Sequence, residues 1–222
     1  MKNVLMVWGG WDGHTPKASI DVFEPLLREK DFNVTVRNDL KCYADKDLMA
    51  AQDLIVQCFT MSKIEKEESE GLLSAVRSGT GFAGWHGGII DSFRENTAYQ
   101  WMTGAQWVAH PGNCIPSHRV QITDKDHEIV KGLKDFDLPD SEQYFIHIDP
   151  SIHVLCQTTF SGEYGDSDLY TAGTVMPYAY TKTYGKGRIF VANWGHTFKD
   201  FEIYEAREII LRGLLWAALV AI

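Results

Sequence analysis

The chain has 222 residues, 45% of them hydrophobic, and a formal net charge of -9 from 21 Lys and Arg against 30 Asp and Glu. That length and apolar content suit one α/β domain spanning 1–222 with a full core, and they exclude a disordered chain. The acidic balance excludes non-specific nucleic-acid binding, which needs a basic footprint, and argues against anionic membrane surfaces.

No run of about 18 apolar residues is present to cross a membrane. The apolar run at residues 3–8 is too short for a signal peptide and a Gly-rich turn follows it at once. Cys42, Cys58, Cys114 and Cys156 are widely spaced with no CxxC pair. A cytoplasmic protein with reduced thiols is therefore expected, and a homo-oligomer is the default expectation at this size.

Residues 3–8 predict a first buried strand. A loop with Trp11 and His14 follows, then Thr15 as a helix cap and Pro16 at the first helical position. Ile20, Phe23, Leu26 and Leu27 carry helical spacing to Lys30. Strands are predicted over 32–36, 53–59 and 81–85, with a helix over 65–78 that turns Leu72, Leu73 and Val76 inward. This β-α-β-(short helix)-β-α-β order implies parallel strands joined by right-handed crossovers. Beyond residue 90 the pattern predicts helices over 96–102 and 128–133 and strands over 106–109, 119–123, 141–149 and 153–159. An exposed loop over 161–171 and a hairpin of 175–183 with 188–193 around Tyr184-Gly185-Lys186-Gly187 come next. A helix over 201–220 closes the chain.

The most informative stretch is Gly84-Trp85-His86-Gly87-Gly88, which ends an apolar strand. Its spacing matches the G-x-S-x-G nucleophile elbow, with histidine at the elbow and the start of a helix expected after it. The glycines predict positive φ and close backbone approach. Ligands of a parallel α/β sheet bind beyond the carboxyl ends of its strands. His14, His86 and His196 each follow a predicted strand and are expected to share that edge, with Glu142 as carboxylate partner. Such a set has two chemistries open to it. It can bind a divalent metal such as zinc, with His86, His196 and Glu142 as candidate ligands, or it can act as general acid and base.

His86, His196 and Glu142 are the candidate catalytic residues; His14, Trp11, Trp85, Tyr144 and His110 are the candidate substrate contacts. His118, His127 and His153 read as surface or strand-face residues with no role. No HExxH or HxH spacing is present, and Gly9-Gly10-Trp11-Asp12-Gly13 fails the dinucleotide GxGxxG pattern. Tryptophans beside the strand-end loops suit the apolar faces of sugar rings, and equally suit a core.

Together these residues resemble the ThuA-like, trehalose-utilisation family within the class I glutamine-amidotransferase-like superfamily. The resemblance runs through His14, the elbow, His110-Pro111, Asp126-His127-Glu128-Ile129, Glu142-Gln143-Tyr144, Tyr184-Gly185-Lys186-Gly187-Arg188 and Gly195-His196. The chain departs from the family pattern at Glu128, where Pro is common, at Ser141, where Asp is common, and at Tyr180, where Trp is common. The resemblance implies a flavodoxin-like, three-layer α/β sandwich with a mostly parallel central sheet. It also implies a role with disaccharides or oxidised (keto) sugars. The amidotransferases carry their attacking cysteine at the elbow, and here His86 stands there, so thioester chemistry is not expected. A carbohydrate-processing enzyme is the leading expectation; a non-catalytic sugar-binding or regulatory module of the same fold is the alternative.

Overall fold

The computed structural model describes residues 1–165 and 169–222. Its first half alternates strands and helices: β1 (Lys2–Gly10), α1 (Pro16–Glu29), β2 (Phe32–Arg37), α2 (Lys46–Ala50), β3 (Leu54–Thr60), α3 (Lys66–Ser78) and β4 (Gly81–Trp85). There follow α4 (Thr97–Thr103), β5 (Ala105–Ala109), β6 (Cys114–Ile122), β7 (Phe136–Glu142), β8 (Phe145–Ile148), β9 (His153–Thr159), β10 (Val175–Tyr184), β11 (Gly187–Ala192) and α5 (Tyr204–Ala217). Among the described residues, nine strands form one sheet in the order β2-β1-β3-β4-β11-β10-β9-β6-β7, and β5 pairs with β8 in a second. The first five are parallel. From β10 outward each strand runs antiparallel to its neighbour.

The core lies on both faces of the parallel strands. Along β1, Val4 and Met6 face one layer while Leu5 and Val7 face the other, as period-two geometry requires. The first layer is α1 and α5, through Ile20, Phe23, Leu27, Ile209, Ile210 and Leu214. The second is built from α3, α4 and the segment around Tyr43. Full burial of a side chain such as Phe23 contributes about 2–3 kcal/mol. A reciprocal capping box between Glu65 and Glu68 starts α3. Pro16 stands at the start of α1, but Thr15 does not cap it; the Thr15 hydroxyl instead accepts from Phe198 N (3.0 Å).

Several expectations change. Residues 128–133 form turns rather than a helix. Residues 141–149 are not one strand: they hold the end of β7 and all of β8, which lie in different sheets, with Gln143 and Tyr144 between them. The terminal helix is preceded by a separate 3-10 turn, Phe198–Glu202. The elbow leads into one 3-10 turn, His86–Gly88, and not into a longer helix. His118 is buried and bonded to the Tyr178 hydroxyl (2.8 Å), not a surface residue. The expected loop over 161–171 includes residues 166–168, which lie outside the described residues.

Candidate metal centre

The carboxyl ends of the parallel strands carry the candidate residues. β1 is followed by a 3-10 turn that ends in His14. β4 ends at Trp85, and His86 takes left-handed backbone with φ of 47°. The strain of the elbow thus sits on the histidine itself, whereas Gly84, Gly87 and Gly88 have ordinary φ. Two of those glycines serve close approach. A Cβ on Gly88 would lie 2.6 Å from Cys58 Cα, and one on Gly87 would lie 2.4 Å from the His14 ring.

β11 pairs with β4 so that Ala192 lies beside Trp85, which brings Asn193 next to His86. His196 follows three residues on. Glu142 arrives from the far edge of the sheet. β6 pairs with β9 only at Gln121 and Ile122, while its other end stays paired with β7 from Cys114–Glu142 to Val120–Phe136. That end of the β6–β7 pair brings Glu142 against the strand-end histidines.

Three imidazoles meet one carboxylate oxygen. Glu142 Oε2 lies 3.1 Å from His86 Nε2, 3.3 Å from His196 Nδ1 and 3.6 Å from His14 Nε2. One ligand atom from each of the four residues falls within 4.8 Å of all the others. The second nitrogen of each ring has its own partner. His86 Nδ1 meets the Asn193 carbonyl (3.2 Å), His14 Nδ1 meets the Thr60 hydroxyl (3.2 Å) and His196 Nε2 meets Cys114 Sγ (3.4 Å). The Asn193 carbonyl and an ionised Glu142 both only accept, so a neutral His86 serves one of them at a time; with its hydrogen on Nδ1 it turns a lone pair toward Glu142. His196 Nδ1 is buried and makes no hydrogen bond among the described residues.

Burial pushes the His86 pKa down to about 3, against the opposing pull of Glu142. Burial acts to raise the Glu142 pKa, but His14, His196 and His86 around it outweigh burial and hold it below the usual carboxylate range. The ring is neutral and the carboxylate ionised near pH 7.

The remaining candidates separate. His110 stands at the mouth, with Nε2 3.8 Å from Glu142 Oε1 and its side chain 32% exposed. Trp11 is half exposed and packs edge-on to His14 at 4.8 Å. Tyr144 is buried and stacks on His86 at 3.8 Å, so it backs the histidine rather than meeting a ligand. Trp85 is buried against Phe23 and Phe201, which makes it a core residue and corrects its expected place as a substrate contact. The Cys58 thiol is buried and pushed up to about 12 by burial, so it is no nucleophile.

Four contributors carried no usable signal in the sequence. Asp200 is buried and accepts from Gly195 N (2.8 Å), His196 N (3.1 Å) and the Ser141 hydroxyl (2.8 Å), which fixes the loop that carries His196. It supplies a carboxylate beside the position where Ser141 departs from the family pattern. Asn193 acts through its backbone, Thr60 ends an apolar strand, and Cys114 is one of four scattered cysteines. Only the spacing of Asp200 four residues after His196 was there to find.

Comparison with known proteins gives the family and the fold. A family model described as ThuA, trehalose utilisation, matches residues 3–217. A ThuA-like protein of Bacteroides uniformis superposes with a TM-score of 0.81 at 16% identity, over 97% of this chain and 91% of that one. One of Parabacteroides merdae gives 0.75 at 20% identity, over 98% and 90%. A cytoplasmic protein of Salmonella typhimurium gives 0.67 at 13% identity, over 97% and 99%. No curated protein matches the chain. At these identities the solved structures speak for the α/β fold; the family model, which covers nearly the whole sequence, shows that the chain belongs to the ThuA, trehalose-utilisation, family.

Proposed function

We propose that the chain is a carbohydrate-processing enzyme that acts on a disaccharide or an oxidised (keto) sugar at a divalent-metal centre formed by His14, His86, Glu142 and His196. One observation carries this reading. Three ring nitrogens converge on one carboxylate oxygen while the other nitrogen of each ring is turned to a partner of its own. Metal-binding histidines are oriented in this way by outer partners. Ligand atoms that share a metal at roughly 2.0–2.2 Å stand roughly 2.9–3.6 Å apart, the range that the three Glu142 contacts occupy. With the His86 hydrogen on Nδ1, facing the Asn193 carbonyl, a cation between Nε2 and Glu142 would fill the 3.1 Å contact that otherwise sets a lone pair against a carboxylate.

Imidazole and carboxylate donors suit zinc, iron or nickel. A metal held there would polarise a sugar carbonyl or hydroxyl oxygen. The chain's own residues do the rest. Tyr144 holds the His86 ring by stacking, Trp11 offers a half-exposed face to a sugar ring, and His110 stands where it can exchange a proton with a bound hydroxyl. The family's link to trehalose utilisation supports a sugar substrate. The parallel strands follow the order 2-1-3-4-5 of flavodoxin-like folds, which supports that class and a single domain over 1–222. His86 at the elbow and the buried Cys58 speak against glutamine amidotransfer.

Elemental analysis of the wild type and of His86→Ala tests the reading, with turnover followed on a panel of disaccharides and their keto derivatives. About one equivalent of metal in the wild type, lost together with turnover in the folded variant, is expected. A wild type that stays metal-free after dialysis against zinc, manganese and nickel would overturn the metal centre. Metal without turnover on any sugar would favour a binding module.

A further inference from the structure

The loops that follow β3 and the elbow turn build an open cleft of about 690 Å³, lined by none of the four residues of the centre. One wall is residues 61–65, which follow β3; the other is residues 92–97, which follow the elbow turn. The cleft starts one residue beyond Thr60, the partner of His14. Two backbone hydrogen bonds clamp its walls: Met61 N donates to the Asp91 carbonyl (2.9 Å) and Ser62 N to the Ser92 carbonyl (2.8 Å). Met61 sits at the lip, half exposed, with left-handed backbone at φ of 50°.

Arg94 links cleft and centre. Its Nε and Nη2 both donate to the carboxylate of Asp91, whose side chain is buried. Its guanidinium lies 4.1 Å over the Trp107 ring. Trp107 in turn lies 5.8 Å from His110 and 6.3 Å from Tyr144, the residues at the mouth and back of the centre. A guanidinium has five N–H donors, and Asp91 takes two of them. Arg94 is therefore a donor fork held in place before any ligand arrives. On the rings between Arg94 and Glu142, Trp107 Nε1 and His110 Nδ1 are buried with no hydrogen-bond partner among the described residues.

Charge and size decide the ligand. Asp91 neutralises Arg94, and Lys63 faces Glu95 across 3.7 Å, so the cleft suits a neutral hydroxylated group better than an anion. Its volume falls within the range of small-molecule sites and is enough for a sugar ring. We infer that the cleft is the subsite for the second, non-reacting ring of a disaccharide, with Arg94 donating to that ring's hydroxyls. The inference rests on the sugar reading above and adds to it what selects a disaccharide over a monosaccharide. Contacts to a remote ring would supply binding energy for orienting the reacting one.

Binding of trehalose and of glucose, followed by ligand-observed NMR titration, tests this in the wild type, Arg94→Met, Thr97→Trp and His86→Ala. Arg94→Met leaves the buried Asp91 without its partner; Thr97→Trp, at an exposed lining position, narrows the cleft without touching the pair and carries the test if the first variant fails to fold. The wild type is expected to bind trehalose at least about tenfold tighter than glucose. Each cleft variant should lose that preference and keep its glucose affinity within about twofold. Equal affinities in the wild type, or a preference that survives Thr97→Trp, would overturn the subsite. The sugar reading would then stand on glucose binding lost in His86→Ala. Failure of both sugars to bind the wild type would overturn both.

Discussion

The two halves of the large sheet meet at the centre and are built on different rules. In the parallel half, the middle of β1 and nearly all of β3 and β4 are buried on both faces. In the antiparallel extension, β6 alternates exposed and buried positions along much of its length. The first pattern is that of strands sandwiched between helix layers, the second of strands with one face in water. The parallel half supplies the three imidazoles, each from a loop after a strand end. The extension supplies the lone carboxylate, Glu142, with His110 at the mouth and Cys114 behind His196. A parallel sheet places its histidines where any such fold binds ligands; the carboxylate that meets them comes from an edge strand.

The largest effect expected from breaking that meeting is in Glu142→Gln. The variant should bind no zinc at concentrations that saturate the wild type, because three neutral imidazoles lose their anionic partner. The same change should leave the chelator-treated protein as stable as the wild type, or more stable by about 1 kcal/mol, since an amide N–H can donate to the His86 lone pair that a carboxylate opposes. Zinc titration and thermal melts in EDTA measure the two sides. A chelated variant that melts well below the chelated wild type would mean that Glu142 is held by protons on the histidines and not poised for a cation.

Asp200→Ala is the next largest. It removes the acceptor for two backbone N–H groups and the Ser141 hydroxyl in a buried site. A loss of about 2–4 kcal/mol in denaturant unfolding is expected. Zinc affinity should fall with it, because the loop of His196 loses its anchor. Undiminished zinc affinity would show that β11 and Asn193 place His196 without Asp200.

What the sequence made legible follows the same division. Continuous apolar runs and helical spacing between them marked β1, β3, β4 and α3, since strands buried on both faces leave a strong signal. His14, His86 and His196 could be set on one edge from strand order alone. The extension was read less well. Gln143 and Tyr144 are buried, so nothing in hydropathy marked the break between β7 and β8. Trp85 looked like a pocket wall because strand-end position does not tell which face a side chain takes. Asp200 and Arg94 were out of reach, because an isolated carboxylate or guanidinium reads as solvated surface until tertiary contacts are known.

Gly87→Ala sharpens the comparison inside the parallel half. The new Cβ would lie 2.4 Å from His14 Cε1 and 3.0 Å from the Tyr144 hydroxyl, so the His14 ring must move. Zinc affinity should fall by about tenfold to hundredfold, as when an outer partner of a metal ligand is displaced. Stability of the chelated protein should drop by about 1–3 kcal/mol from overpacking. Isothermal titration with zinc checks the first figure. Unchanged affinity would remove His14 from the ligand set and leave His86, Glu142 and His196.

The smallest expected effect lies away from the centre, in the pair that ties the second sheet to the extension. Lys182 of β10 donates to Asp149, just beyond β8, at 2.9 Å and to Ser151 at 2.6 Å. The Lys182 hydrogen bond, aided by Ser151 N, lowers the Asp149 pKa to about 2. A carboxyl with a depressed folded pKa stabilises the fold above its unfolded value, near 4, and loses that contribution as pH falls toward 2. The wild type should therefore weaken between pH 4 and pH 2 through this group, by no more than about 1 kcal/mol for so solvent-accessible a pair. Lys182→Met should be slightly less stable than the wild type at pH 6, and the gap should shrink by more than half by pH 2.5. Urea midpoints at the two pH values measure it. A gap undiminished at pH 2.5 would assign the Lys182 contribution to its stem, which packs against Gly104, and not to its charge.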